Sequence, residues 1–243
     1  HSHLMANMVP NCVSYDPTYS YDLAVIIQSG LQRMYVDKEN VFYYITVMND
    51  KYHMPAKPPC TKEHVLKGMY QYKYHDNNEH KVNLLGSGAI LNQVILAADI
   101  LEKDYGIGAN IWSVTSYKAI YDDARDVHRY NNLNPENKKE SHIEFLTGKD
   151  EESLFVAASD YVKALPLSVS KFFPGTFTAL GTDGFGLSES RKELRDHFEV
   201  DARHIVWTTL RNLVDLGRLD KATLAKAKKK LKINPDKANP AAV

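Results

Sequence analysis

The sequence has 243 residues, of which 44% are hydrophobic and 25% charged, so it has the composition of a folded globular protein and not of a disordered one. Thirty basic residues balance thirty acidic ones, and this zero formal charge gives no electrostatic footprint for nucleic acid or an anionic membrane. There is no apolar stretch near the roughly 20 residues that span a bilayer and there are only two cysteines, so we expect a cytoplasmic protein without a disulfide framework.

The N-terminal segment predicts one helix and one strand. Residues 1–20 are broken by Asn, Asp and Pro and predict irregular structure. Residues 21–35 carry apolar side chains at helical spacing. Residues 41–48 are β-branched and aromatic with almost continuous apolar character, which is typical of a strand buried on both faces in a parallel sheet.

A proline-rich stretch then interrupts the pattern. Three prolines fall within residues 52–62, where regular structure is excluded because each proline lacks an amide donor and constrains its neighbour. We therefore expect a domain boundary here, with one unit over residues 1–57 and a second over residues 58–243.

In the second unit, predicted strands alternate with predicted helices. Strands are expected over residues 70–74, 82–85, 109–114, 154–158 and 177–180. Helices are expected over residues 65–69, 89–105, 117–130, 160–165, 191–198, 202–216 and 219–230, and a polar surface excursion over residues 131–152. This alternation indicates an α/β fold with a mainly parallel sheet flanked by helices.

Two glycine-rich turns follow predicted strands. Gly86-Ser87-Gly88 has a geometry suited to phosphate, but Leu91 stands where a dinucleotide-binding motif needs its third glycine, so a tight turn is favoured. The second turn, over residues 181–186, predicts a structural clamp in which Asp183 accepts hydrogen bonds, with Arg191 as one candidate donor, while glycines such as Gly184 and Gly186 supply backbone angles that other residues disfavour. No metal-binding motif is present, and the lysines near the C-terminus favour a solvated helix face.

Several stretches together resemble the first, decarboxylating component of bacterial pyruvate dehydrogenase complexes of the homodimeric type. The resemblance runs along essentially the whole chain. It is carried by His1-Ser2-His3-Leu4, Val9-Pro10-Asn11-Cys12, Tyr15-Asp16-Pro17, Tyr43-Tyr44-Ile45-Thr46, Tyr52-His53-Met54-Pro55, the run from Leu180 to Gly186 with Ser188, Ser190 and Arg191, and His197-Phe198-Glu199-Val200-Asp201.

This resemblance implies a transketolase-like subunit that depends on thiamine diphosphate and magnesium. Residues 1–57 would be the end of its middle, pyrimidine-binding domain, and residues 58–243 its C-terminal domain. The family's diphosphate motif and activating glutamate are absent from the chain, so no cofactor is expected to bind the chain alone. The implied partners are a second, identical subunit and the lipoyl-bearing acyltransferase component, and the implied reaction is pyruvate decarboxylation with acetyl transfer.

The resemblance also implies which residues belong to the active site. His1 and His3 match two histidines of a family active-site motif and are the candidate catalytic residues. The loop after the predicted strand would face the substrate approach with Asn49, Asp50, Tyr52 and His53. It holds no arginine of the kind with which transketolases grip a sugar phosphate, which fits pyruvate.

Two other interpretations stay open at this point. One is a non-catalytic interaction or dimerisation module with a transketolase C-terminal fold. The other is a fragment of another thiamine enzyme, such as a transketolase.

Overall fold

The N-terminal segment forms a small two-stranded parallel sheet with helices around it. The computed structural model describes residues 1–49, 51–59 and 61–242. The elements of this segment are α1 (Ser2–Asn7), β1 (Cys12–Tyr15), α2 (Ser20–Leu31), which continues into a π-helical turn (Gln32–Val36), and β2 (Phe42–Ile45). Cys12 lies opposite Phe42 and Tyr15 opposite Ile45 in the parallel register.

Two expectations for this segment are wrong. Residues 1–20 are not irregular, because they contain α1 and β1. The six residues of α1 make less than two helical turns, too few to show a helical period, and β1 (Cys12–Tyr15) lacks the strict alternation of apolar and polar side chains typical of a strand. The strand predicted over residues 41–48 forms over only four of them, with Phe42 exposed and the other three half-buried. Its apolar side chains are therefore not buried on both faces by the described part of the chain.

A five-stranded sheet organises the rest of the chain, as the alternation of strands and helices predicts. Its strands are β3 (Met69–Lys73), β4 (Val82–Gly86), β5 (Ala109–Val114), β6 (Leu154–Ala158) and β7 (Thr176–Leu180). They lie in the order β3-β5-β4-β6-β7, with β3 antiparallel to β5 and all other pairs parallel. Every residue of β4 and β6 is buried, as expected for central strands of a parallel sheet covered on both faces.

Helices cover both faces of this sheet. They are α3 (Thr61–Lys67), α4 (Leu91–Tyr105), α5 (Tyr117–Leu133), α6 (His142–Thr147), α7 (Ala164–Leu167), α8 (Arg191–His197), α9 (Ala202–Asp215) and α10 (Lys221–Lys230). One apolar cluster joins the sheet to α4 and α9, and a second joins its other face to α5, α6 and α7. The mixed α/β fold expected from the sequence is confirmed.

The polar excursion expected over residues 131–152 contains a helix. Ser141 caps α6 by accepting a hydrogen bond from the backbone amide of Glu144, whose carboxylate in turn accepts one from the Ser141 amide. Ile143 is fully buried in the cluster below α5. One inward-facing apolar turn anchors this stretch. The charged residues on either side give the segment a polar composition, so this short apolar turn is not recognised from the sequence.

The two segments of the chain meet in a shared core. Tyr15, Val25 and Ile26 pack with Val65 of α3 and Tyr70 of β3 in a third cluster of buried residues. Tyr15 Oη donates a 2.8 Å hydrogen bond to the Leu66 carbonyl, which ties β1 directly to α3.

Among the helices of the described residues, none combines the length and apolar character needed to cross a membrane.

Candidate active site

The carboxyl ends of strands from both sheets converge on one cavity of about 250 Å³. Asp16 follows β1, Thr46 follows β2, and Asp160 and Thr182 follow β6 and β7. Strand ends are where α/β folds place reacting groups, because the side chains there are fixed by the sheet yet open to the crevice beyond it. The cavity is therefore the candidate active site, and both segments of the chain contribute to its wall.

Asp16 is the half-buried acid between the two sheets. Its Oδ1 accepts a 2.7 Å hydrogen bond from Thr46 Oγ1. Its backbone is held on both sides, since its amide donates to the Thr115 carbonyl (2.7 Å) and its carbonyl accepts from the Gly88 amide (3.1 Å). Desolvation by the surrounding protein, reinforced by the nearby carboxyl of Asp160, raises the pKa of Asp16 to about 7.

His3 lies at the other side of Thr46. Its Nε2 is 2.9 Å from Thr46 Oγ1, and the side chain is only 4% exposed. The rings of Tyr161 and Tyr44 meet the imidazole edge-on, with centroids at 4.6 and 5.2 Å. Burial lowers the pKa of His3 to about 4, so the ring is neutral at physiological pH.

His1 contacts the glycine-rich turn and not the cavity. Its Nε2 donates a 3.0 Å hydrogen bond to the Gly184 carbonyl, and its side chain is exposed. The structure thus separates the two predicted catalytic histidines: His3 joins the buried network, and His1 bridges to the turn over residues 181–186. Gly186, at the far end of that turn, lines the cavity.

Asp183 holds its turn through a different donor from the one expected. Its Oδ1 accepts a 2.9 Å hydrogen bond from the backbone amide of Lys163, and its Oδ2 pairs with the Lys163 ammonium at 3.4 Å. Arg191 instead donates from Nη2 to Asn49 Oδ1 at 2.5 Å. The suggestion of an Asp183–Arg191 pair is corrected: Asp183 clamps the strand-end loops of β6 and β7 together, while Arg191 reaches the other segment.

The predicted substrate-approach residues have different surroundings. Asn49 is exposed and held by Arg191, and His53 is exposed. Tyr52 Oη donates a 2.5 Å hydrogen bond to the Thr18 carbonyl and packs against the Tyr19 ring. Asp50 lies outside the described residues. Val47 and Met48, which sequence reasoning did not single out, line the cavity directly before this loop.

Asp160 is a second acid whose protonated form the cavity wall favours. Burial raises the pKa of Asp160 above its ordinary value, and the nearby guanidinium groups of Arg195 and Arg191 offset only part of this effect. Arg195, Leu194 and Phe198 bring the α8 region to the cavity wall. Sequence reasoning missed Asp16, Thr46 and Asp160, although each follows directly on a predicted or observed strand, and that position was the available signal.

The Gly86-Ser87-Gly88 turn is a tight turn packed against an acid. A Cβ on Gly88, whose φ is +50°, would lie 2.6 Å from Asp16 Oδ2. Ser87 Oγ donates to Ser159 Oγ at 3.2 Å, and the Gly88 amide donates to the Asp16 carbonyl. A carboxyl group at this distance disfavours a phosphate, so the tight-turn interpretation fits and the turn offers no cradle for a diphosphate.

Within the described residues, the acidic and histidine side chains close enough to share one ion are Asp196, Asp201 and His204. Arg203 already pairs with both aspartates, and Asp201 caps α9. This donor set does not suit a magnesium diphosphate, which needs free oxygen ligands.

Comparison with known families matches each segment to a different domain. Residues 68–201 match the family described as the transketolase-like C-terminal domain. Residues 1–55 match the family described as the middle domain of the pyruvate dehydrogenase E1 component.

Curated relatives cover the whole chain. It is 44% identical over 242 residues to the pyruvate dehydrogenase E1 component of Escherichia coli K12, which is 99% of this chain and 27% of that protein. The component from Cupriavidus necator is 42% identical over 246 residues, with 100% and 27% covered. The chain therefore spans about a quarter of the length of these relatives.

Solved transketolases share the fold at low identity. The enzyme from Campylobacter jejuni superposes with a TM-score of 0.61 at 17% identity, covering 86% of this chain and 27% of that one. A Pichia stipitis transketolase variant gives 0.61 at 14% identity, covering 90% and 27%. These likenesses show the architecture alone.

Proposed function

Because the chain belongs to the transketolase-like C-terminal domain family, we propose that it is the C-terminal part of the thiamine-diphosphate-dependent decarboxylating subunit of a pyruvate dehydrogenase complex. The complete subunit would decarboxylate pyruvate and transfer the acetyl group to the lipoyl arm of an acyltransferase component. The observation that carries the proposal is the 44% identity over 99% of the chain to proteins named as that component.

The cavity suits a small, singly charged substrate better than a sugar phosphate. Two carboxyl groups, Asp16 and Asp160, stand at its wall together with the neutral Thr46 and Thr182 and the guanidinium of Arg195. In their ionised forms the two acids would repel a phosphate more strongly than a singly charged carboxylate, because the phosphate carries the larger negative charge. Pyruvate is smaller and carries one charge, and Arg195 on the same wall offers a counter-charge for its carboxylate.

Thiamine diphosphate and magnesium would be held by parts of the subunit that precede this chain, since the described residues offer neither a diphosphate cradle nor a suitable magnesium site. When bound there, the cofactor supplies the carbanion that the decarboxylation needs. The contribution of this chain is the far wall of the cleft. His3 presents a neutral imidazole that can hold or pass a proton, and Tyr44 and Tyr161 fix its plane.

We further propose that Asn49, Asp50, Tyr52 and His53 border the substrate approach. The Arg191–Asn49 hydrogen bond supports this arrangement, because it holds the loop near the cavity mouth. The subunit would act as a homodimer in the cytoplasm, in contact with the lipoyl-bearing acyltransferase component. The 243-residue chain alone would have no decarboxylase activity and would not bind the cofactor tightly.

The test is pyruvate-dependent release of carbon dioxide by the complete polypeptide with thiamine diphosphate and magnesium. His3→Gln should lower turnover by about 100-fold, the usual scale for losing a proton-transfer group. His128→Gln, at an exposed position on α5, is the matched control and should leave turnover unchanged. Absence of pyruvate-dependent carbon dioxide from the unmodified polypeptide would overturn the proposal.

A further inference from the structure

A continuous hydrogen-bond chain runs from the acid Asp16 to the ring of His3. Thr46 Oγ1 is 2.7 Å from Asp16 Oδ1 and 2.9 Å from His3 Nε2. The Tyr15 carbonyl, a further acceptor for this hydroxyl, is more distant at 3.4 Å, and the Tyr161 phenol, which can donate to Thr46 Oγ1 in either protonation state of the acid, also hydrogen-bonds to it. One hydroxyl group therefore stands between two groups that can each gain or lose a proton.

The number of protons on these atoms restricts how the chain can be arranged. A hydroxyl has one proton to donate, and an ionised carboxylate can only accept. When Asp16 is ionised, Thr46 donates to it, and His3 must then carry its proton on Nε2 in order to donate to Thr46. When Asp16 is protonated, it can donate to Thr46, whose own proton is then directed to an unprotonated Nε2, leaving the His3 proton on Nδ1.

The surroundings favour protonation of Asp16 with a change of the His3 tautomer over formation of a charged His3 imidazolium. The titratable groups facing Asp16 are Asp160 across the cavity, the phenols of Tyr117 and Tyr161, and His3 itself. Arg195 and Arg191 act on Asp160. The pKa of Asp16 is raised to about 7, whereas that of the buried His3 is lowered to about 4, so near neutral pH the acid titrates while the imidazole stays uncharged.

We propose that Asp16 and Thr46 are positioning residues for His3, forming a relay that lets the neutral ring take up a proton at Nδ1. As that proton binds, the Nε2 proton moves to Thr46 Oγ1 and the Thr46 proton moves to Asp16 Oδ1. One proton enters, one carboxylate becomes a carboxylic acid, and the ring changes tautomer without gaining charge. Only the use of this proton in catalysis rests on the proposed function.

The experiment follows the tautomer of His3 directly. Histidine in the 243-residue chain is labelled with nitrogen-15, and long-range proton–nitrogen NMR spectra distinguish Nε2–H from Nδ1–H. His3→Gln identifies the signal. In the unmodified chain, we expect Nε2–H to dominate at about pH 8.5 and Nδ1–H at about pH 5.5, on either side of the Asp16 titration.

Three variants test the relay, and circular dichroism establishes that each is folded. Thr46→Val removes the hydroxyl with little change in shape and should abolish the pH dependence, whereas Thr46→Ser keeps a hydroxyl and should retain it. Asp16→Asn can donate to Thr46 at every pH and should hold His3 in the Nδ1–H form. If Asp16→Asn does not fold, the valine and serine pair decides the result.

A tautomer that does not change with pH in the unmodified chain would overturn the relay. The same holds if the change persists in Thr46→Val, or if His3 becomes an imidazolium over this pH range. No cofactor or substrate is present in these spectra, so they test the relay even if the complete polypeptide does not decarboxylate pyruvate. In the same way, failure of the relay would not contradict the proposed pyruvate chemistry.

Discussion

Asp16 and Gly88 are in close contact where the two segments of the chain meet at the cavity. The carboxyl group occupies the space that a side chain on residue 88 would fill, and the backbone of both residues is joined by a hydrogen bond. A glycine in a left-handed conformation is therefore required here for two reasons: its φ of +50°, and the acid beside it.

We predict that Gly88→Ala destabilises the protein more than Gly106→Ala does. Both glycines have left-handed φ, +50° and +66°, but in the described part of the chain no atom other than those of its chain neighbours lies within 4 Å of a Cβ on Gly106. Gly106→Ala should cost about 1–2 kcal/mol of backbone strain, and Gly88→Ala about 2–5 kcal/mol because overpacking adds to it. Urea unfolding measures both values.

The double variant Gly88→Ala, Asp16→Ala is the check on this explanation. Removing the carboxyl group should recover the part of the loss that exceeds the Gly106→Ala value. Additive losses would mean that Asp16 is not the obstacle.

We also predict that Asp16 makes stability depend on pH. Its pKa is about 7 in the folded protein against 3.8 ordinarily, so between these values unfolding releases a proton and stability falls as pH rises. Asp16→Asn has no titrating carboxyl group at this position, so its stability does not fall in this way. The unfolding free energy of Asp16→Asn minus that of the unmodified chain should therefore rise by about 2–4 kcal/mol from pH 4 to pH 8, measured by urea titration. Parallel curves for the two proteins would contradict the assignment.

At the scale of elements, hydrogen-bonding side chains mark where the helices begin. Ser116, Ser141, Ser190, Asp201 and Asp220 each accept a backbone hydrogen bond at the start of a helix. Such caps satisfy amide groups that have no partner within the helix. The cap of α9 does more than the others, since Asp201 also accepts from the His204 ring at 2.7 Å and pairs with Arg203.

We predict that Asp201→Ala costs about 2–3 kcal/mol, because it removes a cap and charged hydrogen bonds together. Burial alone would raise the pKa of Asp201, but hydrogen bonds from His204 and Arg203 outweigh it and lower the pKa to about 2. The ion-pair part of the stability is therefore present above pH 3.8 and lost as the pH falls towards 2. Thermal unfolding across this range measures it.

Asp220→Ala is the matched control for this helix cap. Asp220 likewise accepts from the backbone of the third residue on, Thr223, at 2.6 Å, but it is exposed. Asp220→Ala should therefore lower the free energy of unfolding by less than Asp201→Ala does. Equal losses for the two aspartates would show that the additional contacts of Asp201 contribute nothing.

At the scale of the whole molecule, two sheets share one cavity and one junction. The junction cluster, formed by Tyr15, Val25, Ile26, Val65 and Tyr70, places the edge strand β3 against α2. Tyr21 Oη and Tyr70 Oη add a 3.0 Å hydrogen bond across the same junction. The position of Asp16 over the larger sheet thus depends on packing well away from the cavity.

We predict that Ile26→Ala loosens both sides of the junction. Ile26 is fully buried, so its truncation should cost about 2–5 kcal/mol. Native-state hydrogen exchange should show faster exchange in β1 and in β3 together. Leu101→Ala, in the cluster under α4, is the control and should speed exchange in β4 and β5 first. Faster exchange in β1 with β3 unchanged would mean that the two segments are independent.

The sequence by itself determined the larger sheet. The run in β6 is apolar throughout, that in β4 is apolar except for Asn83, and α4 has an apolar face that ends at Gly106, so local patterns and burial agree. The motifs also identified the family. The short helices α1 and α6 were missed because six residues make less than two helical turns and show no helical period, and β1 was missed because its residues do not alternate apolar and polar side chains. The stability of these elements comes from tertiary packing.

Only the tertiary structure decided the site. The motif proposed His3 as a site residue, but Thr46, which it contacts, and Asp16, which Thr46 contacts, are 43 and 13 residues further along the chain, and neither belongs to a spacing that signals chemistry. Likewise, the partner of Asp183 is Lys163 and not the nearer Arg191. Side chains at the ends of parallel strands are brought together by strand order, and strand order is set by long-range packing that a local pattern does not contain.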